Sequence, residues 1–69
     1  MNLIVNGKTK EIATVSNVAE MVVALGLKAD RIAVELNLNI VPRADWEATT
    51  VREGDRVEVV QFVGGGTPN

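Results

Sequence analysis

Three consecutive glycines near the C-terminus, Gly64, Gly65 and Gly66, are the residues whose type and spacing first suggest a chemical role. They follow an apolar stretch and precede only three further residues. A glycine has no side chain to pack and loses more backbone freedom on ordering than any other residue, so a folded core gains nothing from these three. The glycines are therefore either a slack linker or a functional segment.

The composition argues against catalysis by this chain alone. Cysteine and histidine are both absent from its 69 residues. Their absence excludes disulfides, thiolate nucleophiles, zinc-finger sites and the usual catalytic pairs, and it removes the commonest general base near neutral pH. The length allows one domain with one modest core. We expect a protein that is not an enzyme, with no catalytic residue and no metal site of its own.

The charge balance limits the class of partner. Nine acidic and seven basic residues give a net charge of -2, and the basic residues are scattered, so nucleic-acid binding is disfavoured and a basic partner is favoured. No stretch approaches the ~20 apolar residues of a membrane span, and the first residues lack the pattern of a secretion signal. We expect a soluble cytoplasmic protein with no nucleic-acid partner and no membrane partner.

The elements that must position the glycines begin with a hairpin. Residues 3–5 form a short β-rich run, and Asn6-Gly7 is the dipeptide that most readily takes the positive φ angles of a two-residue turn. Residues 9–13 are expected to return antiparallel to the first strand.

A helix is expected to follow the hairpin. Asn17 and Glu20 have the spacing of a capping box, which predicts a helix that begins near Val18. Gly26 follows the predicted helix at the position where a residue with a left-handed conformation commonly caps the C-terminus. One apolar stripe at helical spacing is formed by Val18, Met21, Val22 and Leu25.

Two further strands are predicted after a polar linker at residues 28–30. Residues 32–36 alternate with the period of a strand, and residues 37–39 resemble a turn into a short strand at residues 40–41. Pro42 prevents that strand from continuing in a central position.

The last strand is the one that leads into the glycines. Residues 43–50 are irregular, with one helical turn expected around Trp46, and residues 53–55 carry a turn signal. The run over residues 56–63 is too continuously apolar for a strand half in water. We therefore expect it inside the sheet.

Together these elements predict an α+β fold, a mixed sheet of four to five strands with one main helix on one face. The helix between the first hairpin and the later strands allows the last strand to pair parallel to the first. The predicted domain covers residues 1–63, and residues 64–69 are expected to form a flexible, glycine-rich C-terminal tail.

The element order resembles the ubiquitin-like β-grasp fold, and the residues resemble the ThiS family of sulfur carriers. The most diagnostic segment is "IVPRADW", residues 40–46, at its distance before a C-terminal Gly-Gly. The resemblance spans nearly the whole chain. It also rests on Asn6-Gly7, on residues 17–20, on residues 37–39 and on the turn at residues 53–55.

The resemblance implies a chemical role for the glycines. In the family, a partner adenylating enzyme of the ubiquitin-activator type uses ATP and magnesium to adenylate the terminal glycine, and sulfur then converts it to a thiocarboxylate. The corresponding residue here is Gly66, with Gly64 and Gly65 threading the partner's active site. This chain would bind no cofactor itself, and a sulfur-accepting synthase would take the sulfur.

The sequence departs from the family pattern after the glycines. Members usually end at the second glycine, whereas Thr67, Pro68 and Asn69 follow Gly66 here, so the Gly66 carbonyl is an amide. We expect a processing peptidase to remove these three residues. Thiamine thiazole is the favoured destination of the sulfur, and a sulfur amino acid is the alternative.

Other residues allow two interpretations. Trp46 is either a binding hot spot or a plug over the edge of the core, and we favour the plug. Arg43 pairs either with a partner's carboxylate or with a neighbouring acidic residue. Val60 and Phe62 belong to one alternate set of the last strand. If that set faces solvent, they form an apolar patch for partner docking that leads into the tail.

Three functions are compatible with the sequence. The favoured one is a sulfur carrier charged at Gly66. The second is a small subunit of the molybdopterin-synthase type, which would use the same tail. The third is a passive β-grasp interaction module with an inert tail, and deletion of Gly65 and Gly66 separates it from the other two.

Overall fold

Five strands and one α-helix are present in the part of the chain that the computed structural model describes, residues 1–62. In chain order they are β1 (Asn2–Val5), β2 (Lys8–Glu11), α1 (Val18–Ala24), β3 (Ile32–Leu36), β4 (Asn39–Val41) and β5 (Arg56–Gln61). Short 3-10 helices cover Ala29–Arg31 and Arg43–Ala48. Residue 63 of the predicted domain and the whole predicted tail, residues 64–69, lie outside the described residues.

The strands form one mixed sheet in the order β2-β1-β5-β3-β4. β5 lies at its centre, parallel to β1 and antiparallel to β3. The prediction that the last strand lies inside the sheet and runs parallel to the first is therefore confirmed, as is the α+β architecture with one main helix.

The first hairpin has the predicted turn. Asn6 has a φ of 49° and Gly7 a φ of 82°, so both central residues are left-handed, as a type I′ turn requires. The returning strand is shorter than predicted, since β2 covers Lys8–Glu11 rather than residues 9–13. Its four residues are all exposed at the edge of the sheet.

Both ends of α1 are capped as the sequence predicts. The Asn17 carboxamide oxygen accepts from the Glu20 backbone N–H at 2.9 Å, and the Glu20 carboxylate accepts from the Ser16 N–H at 2.8 Å. Gly26 has a φ of 73°. The N–H groups of Gly26 and Leu27 bond back to Val23 and Val22 in a Schellman motif, which ends the helix.

The core lies between α1 and one face of the sheet. Leu3, Val34 and Val57 come from three neighbouring strands and are almost completely buried in this layer. Burying a side chain of this size contributes about 1.5–3 kcal/mol. The other buried apolar residues are Val18, Met21, Val22, Ile32, Leu36, Val41, Trp46 and Val51.

Trp46 closes the side of this core. Only 5% of its surface is exposed, and its indole N–H donates to the Val41 carbonyl at 2.9 Å. A buried tryptophan with its one donor satisfied packs as part of the core. The interpretation of Trp46 as a plug is confirmed.

Two turns differ from the expectation. The predicted polar linker at residues 28–30 contains the start of a 3-10 helix, Ala29–Arg31. The turn between β3 and β4 uses Asn37 and Leu38, with φ angles of 51° and 74°. Asn tolerates this conformation, whereas a leucine with positive φ is uncommon, and sequence preference alone does not predict it.

Candidate functional site

The two faces of β5 carry apolar side chains with opposite surroundings. Val57 is completely buried and Val59 is half-buried against the core. Val60 is 60% exposed, and Phe62, just beyond the strand, is 59% exposed. Because side chains alternate along a strand, Val60 and Phe62 lie on the face of the sheet that α1 does not cover. This alternate set therefore faces solvent, which is the condition under which Val60 and Phe62 are expected to form a docking patch. Docking itself stays a prediction.

Neighbouring strands add to this exposed region. Val60 lies opposite Ala33 of β3, which is also exposed. Ile40 of the edge strand β4 is 73% exposed and lies opposite Glu35. We call the exposed apolar residues Ala33, Ile40, Val60 and Phe62 the open-face patch.

Two carboxylates interrupt the open-face patch. Glu35 of β3 lies directly opposite Glu58 of β5 in the antiparallel pairing. Both side chains border the same shallow hollow as Ile40 and Val60. Like charges directly opposite each other in a sheet are destabilising. A positively charged group of a partner, placed over this hollow, would relieve that repulsion.

The C-terminal end of β5 is held from both sides. On the β3 side, the Phe62 N–H donates to the Arg31 carbonyl at 2.7 Å. On the β1 side, the Asn6 carboxamide oxygen accepts from the Val59 N–H at 2.7 Å. The same carboxamide donates to the Val59 carbonyl at 3.2 Å. The sequence pointed to Asn6 as a turn residue only.

A second asparagine holds the other end of the strand. The Asn37 N–H donates to the Arg56 carbonyl at 2.7 Å, and the Asn37 carboxamide oxygen accepts from the Arg56 N–H at 3.0 Å. Its carboxamide nitrogen donates to the Asp55 carboxylate at 3.1 Å. Both asparagines are the first residue of a hairpin turn, which is the only signal in the sequence that could have singled them out.

The glycines predicted to carry the chemistry, Gly64, Gly65 and Gly66, lie outside the described residues. The structure places only the strand that leads to them. Phe62, the last described residue, is two positions before the first of these glycines. Within residues 1–62, no helix is long and apolar enough to cross a membrane.

Comparison with known proteins gives a consistent match. The model of the ThiS family matches residues 3–66. The sulfur carrier protein ThiS of Escherichia coli is 29% identical over 66 residues, which are 96% of this chain and the whole of that protein. The thiazole synthase of Paramagnetospirillum magneticum is 36% identical over 67 residues, 97% of this chain. The chain spans only about a fifth of the length of that synthase.

Solved structures agree with the sequence match. The crystal structure of a thiamine biosynthesis protein (ThiS) from Geobacter metallireducens superposes with a TM-score of 0.79 and 43% identity. The match covers 96% of this chain and all of that one. This similarity confirms the predicted ubiquitin-like β-grasp fold. Since the family model also covers all but the first two and last three residues, the chain belongs to the ThiS family.

Proposed function

We propose that this chain is a sulfur carrier of thiamine biosynthesis and that the sulfur is carried at the C-terminus of Gly66. The family match runs to Gly66, and a full-length relative is named as a sulfur carrier. The chain itself is a protein co-substrate: its partner performs the catalysis, and ATP and magnesium bind to that partner. The absence of histidine and cysteine agrees with this role.

The observation that carries the proposal is the arrangement around β5. The strand that precedes the glycines lies at the centre of the sheet. It pairs with β3 over residues 57–61 and with β1 at Arg56 and Val57, so it is anchored in the domain from both sides. The exposed Val60 lies on this strand, and the exposed Phe62 lies just beyond it, two positions before the first glycine. The domain is thus suited to dock by its open face while the chain that follows enters the partner's active site.

The chemistry needs nothing from the side chains of this protein. A Gly66 carboxylate oxygen attacks the α-phosphorus of ATP, and pyrophosphate leaves. The terminal sulfur of a persulfide then attacks the acyl carbon, and AMP leaves. A thiol reduces the resulting acyl disulfide, which releases the thiocarboxylate. Glycine suits this position because a side chain would crowd both the channel and the acyl carbon.

Charging requires a free carboxylate on Gly66. In the printed sequence Gly66 is joined to Thr67, so its carbonyl carbon is part of an amide. A peptidase that cleaves after Gly66 would supply the carboxylate. The proposal therefore includes this processing step.

The acceptor of the sulfur is proposed from the relatives. Two proteins that contain a segment similar to this chain are named thiazole synthase, and the matching segment is about a fifth of each. We infer that a synthase of this kind takes the sulfur from the thiocarboxylate. Transfer to a sulfur amino acid is the alternative destination.

Intact mass spectrometry of the protein from its native host tests the proposal. We expect a chain that ends at Gly66, part of which carries the mass increment of sulfur in place of oxygen. The same protein from a host strain without the adenylating enzyme should end at Gly66 and lack the increment. An unmodified chain that still ends at Asn69 under thiamine starvation would contradict the proposal.

A further inference from the structure

We propose that Asn6 is a positioning residue, whose carboxamide fixes the direction in which the chain leaves the sheet towards the glycines. The inference rests on the proposed function, since it concerns how the terminal carboxylate is delivered. It arises from a contact between residues far apart in the sequence, the Asn6 side chain and the Val59 backbone.

The contact is needed because β1 ends too early to accompany β5. The parallel pairing aligns Ile4 with Arg56 and Val5 with Val57. The last backbone hydrogen bond between the β1 side and β5 joins the Asn6 N–H to the Val57 carbonyl at 2.8 Å. After Asn6 the chain turns back into β2, so no backbone group of β1 remains for the rest of β5.

The Asn6 carboxamide takes the place of the missing strand residue. A carboxamide carries the same donor and acceptor as a peptide group. It uses both on Val59, accepting from its N–H at 2.7 Å and donating to its carbonyl at 3.2 Å. The hydrogen bonding along the β1 side of β5 thereby extends to Val59, the next residue after Val57 whose backbone groups point towards β1.

Without this contact, the end of β5 would be held from one side only. β3 pairs with Val60 and Gln61, and Arg31 accepts from the Phe62 N–H. A strand held along one edge can twist about that edge. The Asn6 contact lies on the opposite edge and restricts this twist near the C-terminal end of β5.

Few residues can serve at position 6. The φ of 49° favours Gly, Asn and Asp over all other residues. Glycine would keep the turn but lose both bonds to Val59. Aspartate could accept from the N–H but could not donate to the carbonyl. Asparagine is the residue that satisfies the backbone geometry and both bonds at once.

Asn37 provides a matched control within the same chain. It has nearly the same φ, 51°, occupies the same position in the other hairpin, and holds β5 through its carboxamide. It acts on Arg56, at the end of the strand remote from the glycines. Replacement of either asparagine by glycine removes side-chain bonds to β5 and keeps the left-handed turn.

The test compares Asn6→Gly and Asn37→Gly in the chain that ends at Gly66, which retains all the described residues. ATP–pyrophosphate exchange by the adenylating enzyme of the same organism gives kcat and KM, and calorimetry gives the docking Kd. We expect Asn6→Gly to lower kcat about tenfold, because small misplacement of a reacting group is costly. Docking should be affected less than kcat, since Asn6→Gly removes no side chain of the open-face patch.

Asn37→Gly should leave kcat within about twofold of the wild-type value, even where both variants lose similar thermal stability. Asn6→Asp keeps one of the two bonds and should give an intermediate kcat. Equal kcat losses in the two glycine variants would show a general loss of stability and overturn the proposal. An unchanged kcat in Asn6→Gly would also overturn it.

A second measurement separates failure of this inference from failure of the proposed function. Backbone relaxation by NMR should show increased motion at residues 59–62 in Asn6→Gly and at residues 55–57 in Asn37→Gly. If the wild-type chain ending at Gly66 supports no exchange, the proposed function fails. If exchange is normal and residues 59–62 are equally ordered with and without the Asn6 side chain, the positioning role alone fails.

Discussion

Val57 and Val60 are the same residue type on the same strand, yet one is completely buried and the other is 60% exposed. Val57 faces α1 and belongs to the core, whereas Val60 belongs to the open-face patch. The covered face therefore determines whether the domain folds. Substitutions on the open face should change the free energy of unfolding of the isolated domain little. Under the proposed function, this face determines what the domain binds. Substitutions on the two faces should separate stability from charging.

The largest expected effect comes from the glycines that follow β5 in the sequence. Under the proposed function, deletion of Gly65 and Gly66 should abolish charging completely, because no glycine carboxylate then reaches the α-phosphate. The melting temperature should stay within about 2 °C of that of the chain ending at Gly66, since no described contact is lost. Exchange assays and differential scanning calorimetry measure the two quantities. Continued charging of the shortened chain would contradict the role assigned to Gly66.

A substitution on the covered face should lower stability and leave charging unchanged, the opposite of the effect expected for the glycine deletion. Val57→Ala leaves a cavity beneath α1 and should lower the free energy of unfolding by about 2 kcal/mol. Urea denaturation followed by circular dichroism measures this change. At a temperature where the variant is fully folded, its charging rate should equal that of the wild type. A loss of charging without a loss of stability would mean that the two faces are not functionally separate.

The assignment of faces could not be predicted from the sequence, although the position of β5 could. A long apolar run predicts a central strand, and the structure confirms it. Both alternate sets of this run contain large apolar residues, such as Val57 and Phe62, so alternation alone does not identify the buried one. The pairing of β5 with β1 and β3 determines which set of side chains faces α1. The register of that pairing depends on the whole fold.

The Asn6 contact escaped prediction for a related reason. Local sequence preferences predict the turn at Asn6-Gly7, because both residues tolerate a positive φ. The bonds from Asn6 to Val59 depend on where β1 ends relative to β5, across a separation of 53 residues. No local pattern contains that information. The helix caps, by contrast, involve near neighbours, and Asn17 and Gly26 were both predicted correctly.

Phe62→Ala tests the open face directly. Phe62 is 59% exposed and absent from the buried core, so the free energy of unfolding should change by less than about 0.5 kcal/mol. Under the proposed function, removal of this exposed aromatic side chain from the docking surface should weaken docking about tenfold. Calorimetric titration with the adenylating enzyme measures the Kd.

Val23→Ala is the matched control, since Val23 is an exposed apolar residue of α1 that is not in the patch. Global unfolding of Phe62→Ala would show that Phe62 contributes to the core.

The smallest expected effect concerns the carboxylates within the open-face patch. Glu58→Gln removes the repulsion between Glu58 and Glu35 and should stabilise the isolated domain by a few tenths of a kcal/mol. The same change should weaken docking several-fold if the partner places a basic group over the hollow, and this loss should shrink as salt is added. Glu53→Gln is unsuitable as a control because that carboxylate accepts from the Asn2 N–H. Glu11→Gln serves instead, since Glu11 lies on the exposed edge strand β2. If Glu58→Gln stabilises the domain and leaves docking unchanged at low salt, the partner does not use this pair, and the open-face patch acts through its apolar side chains alone.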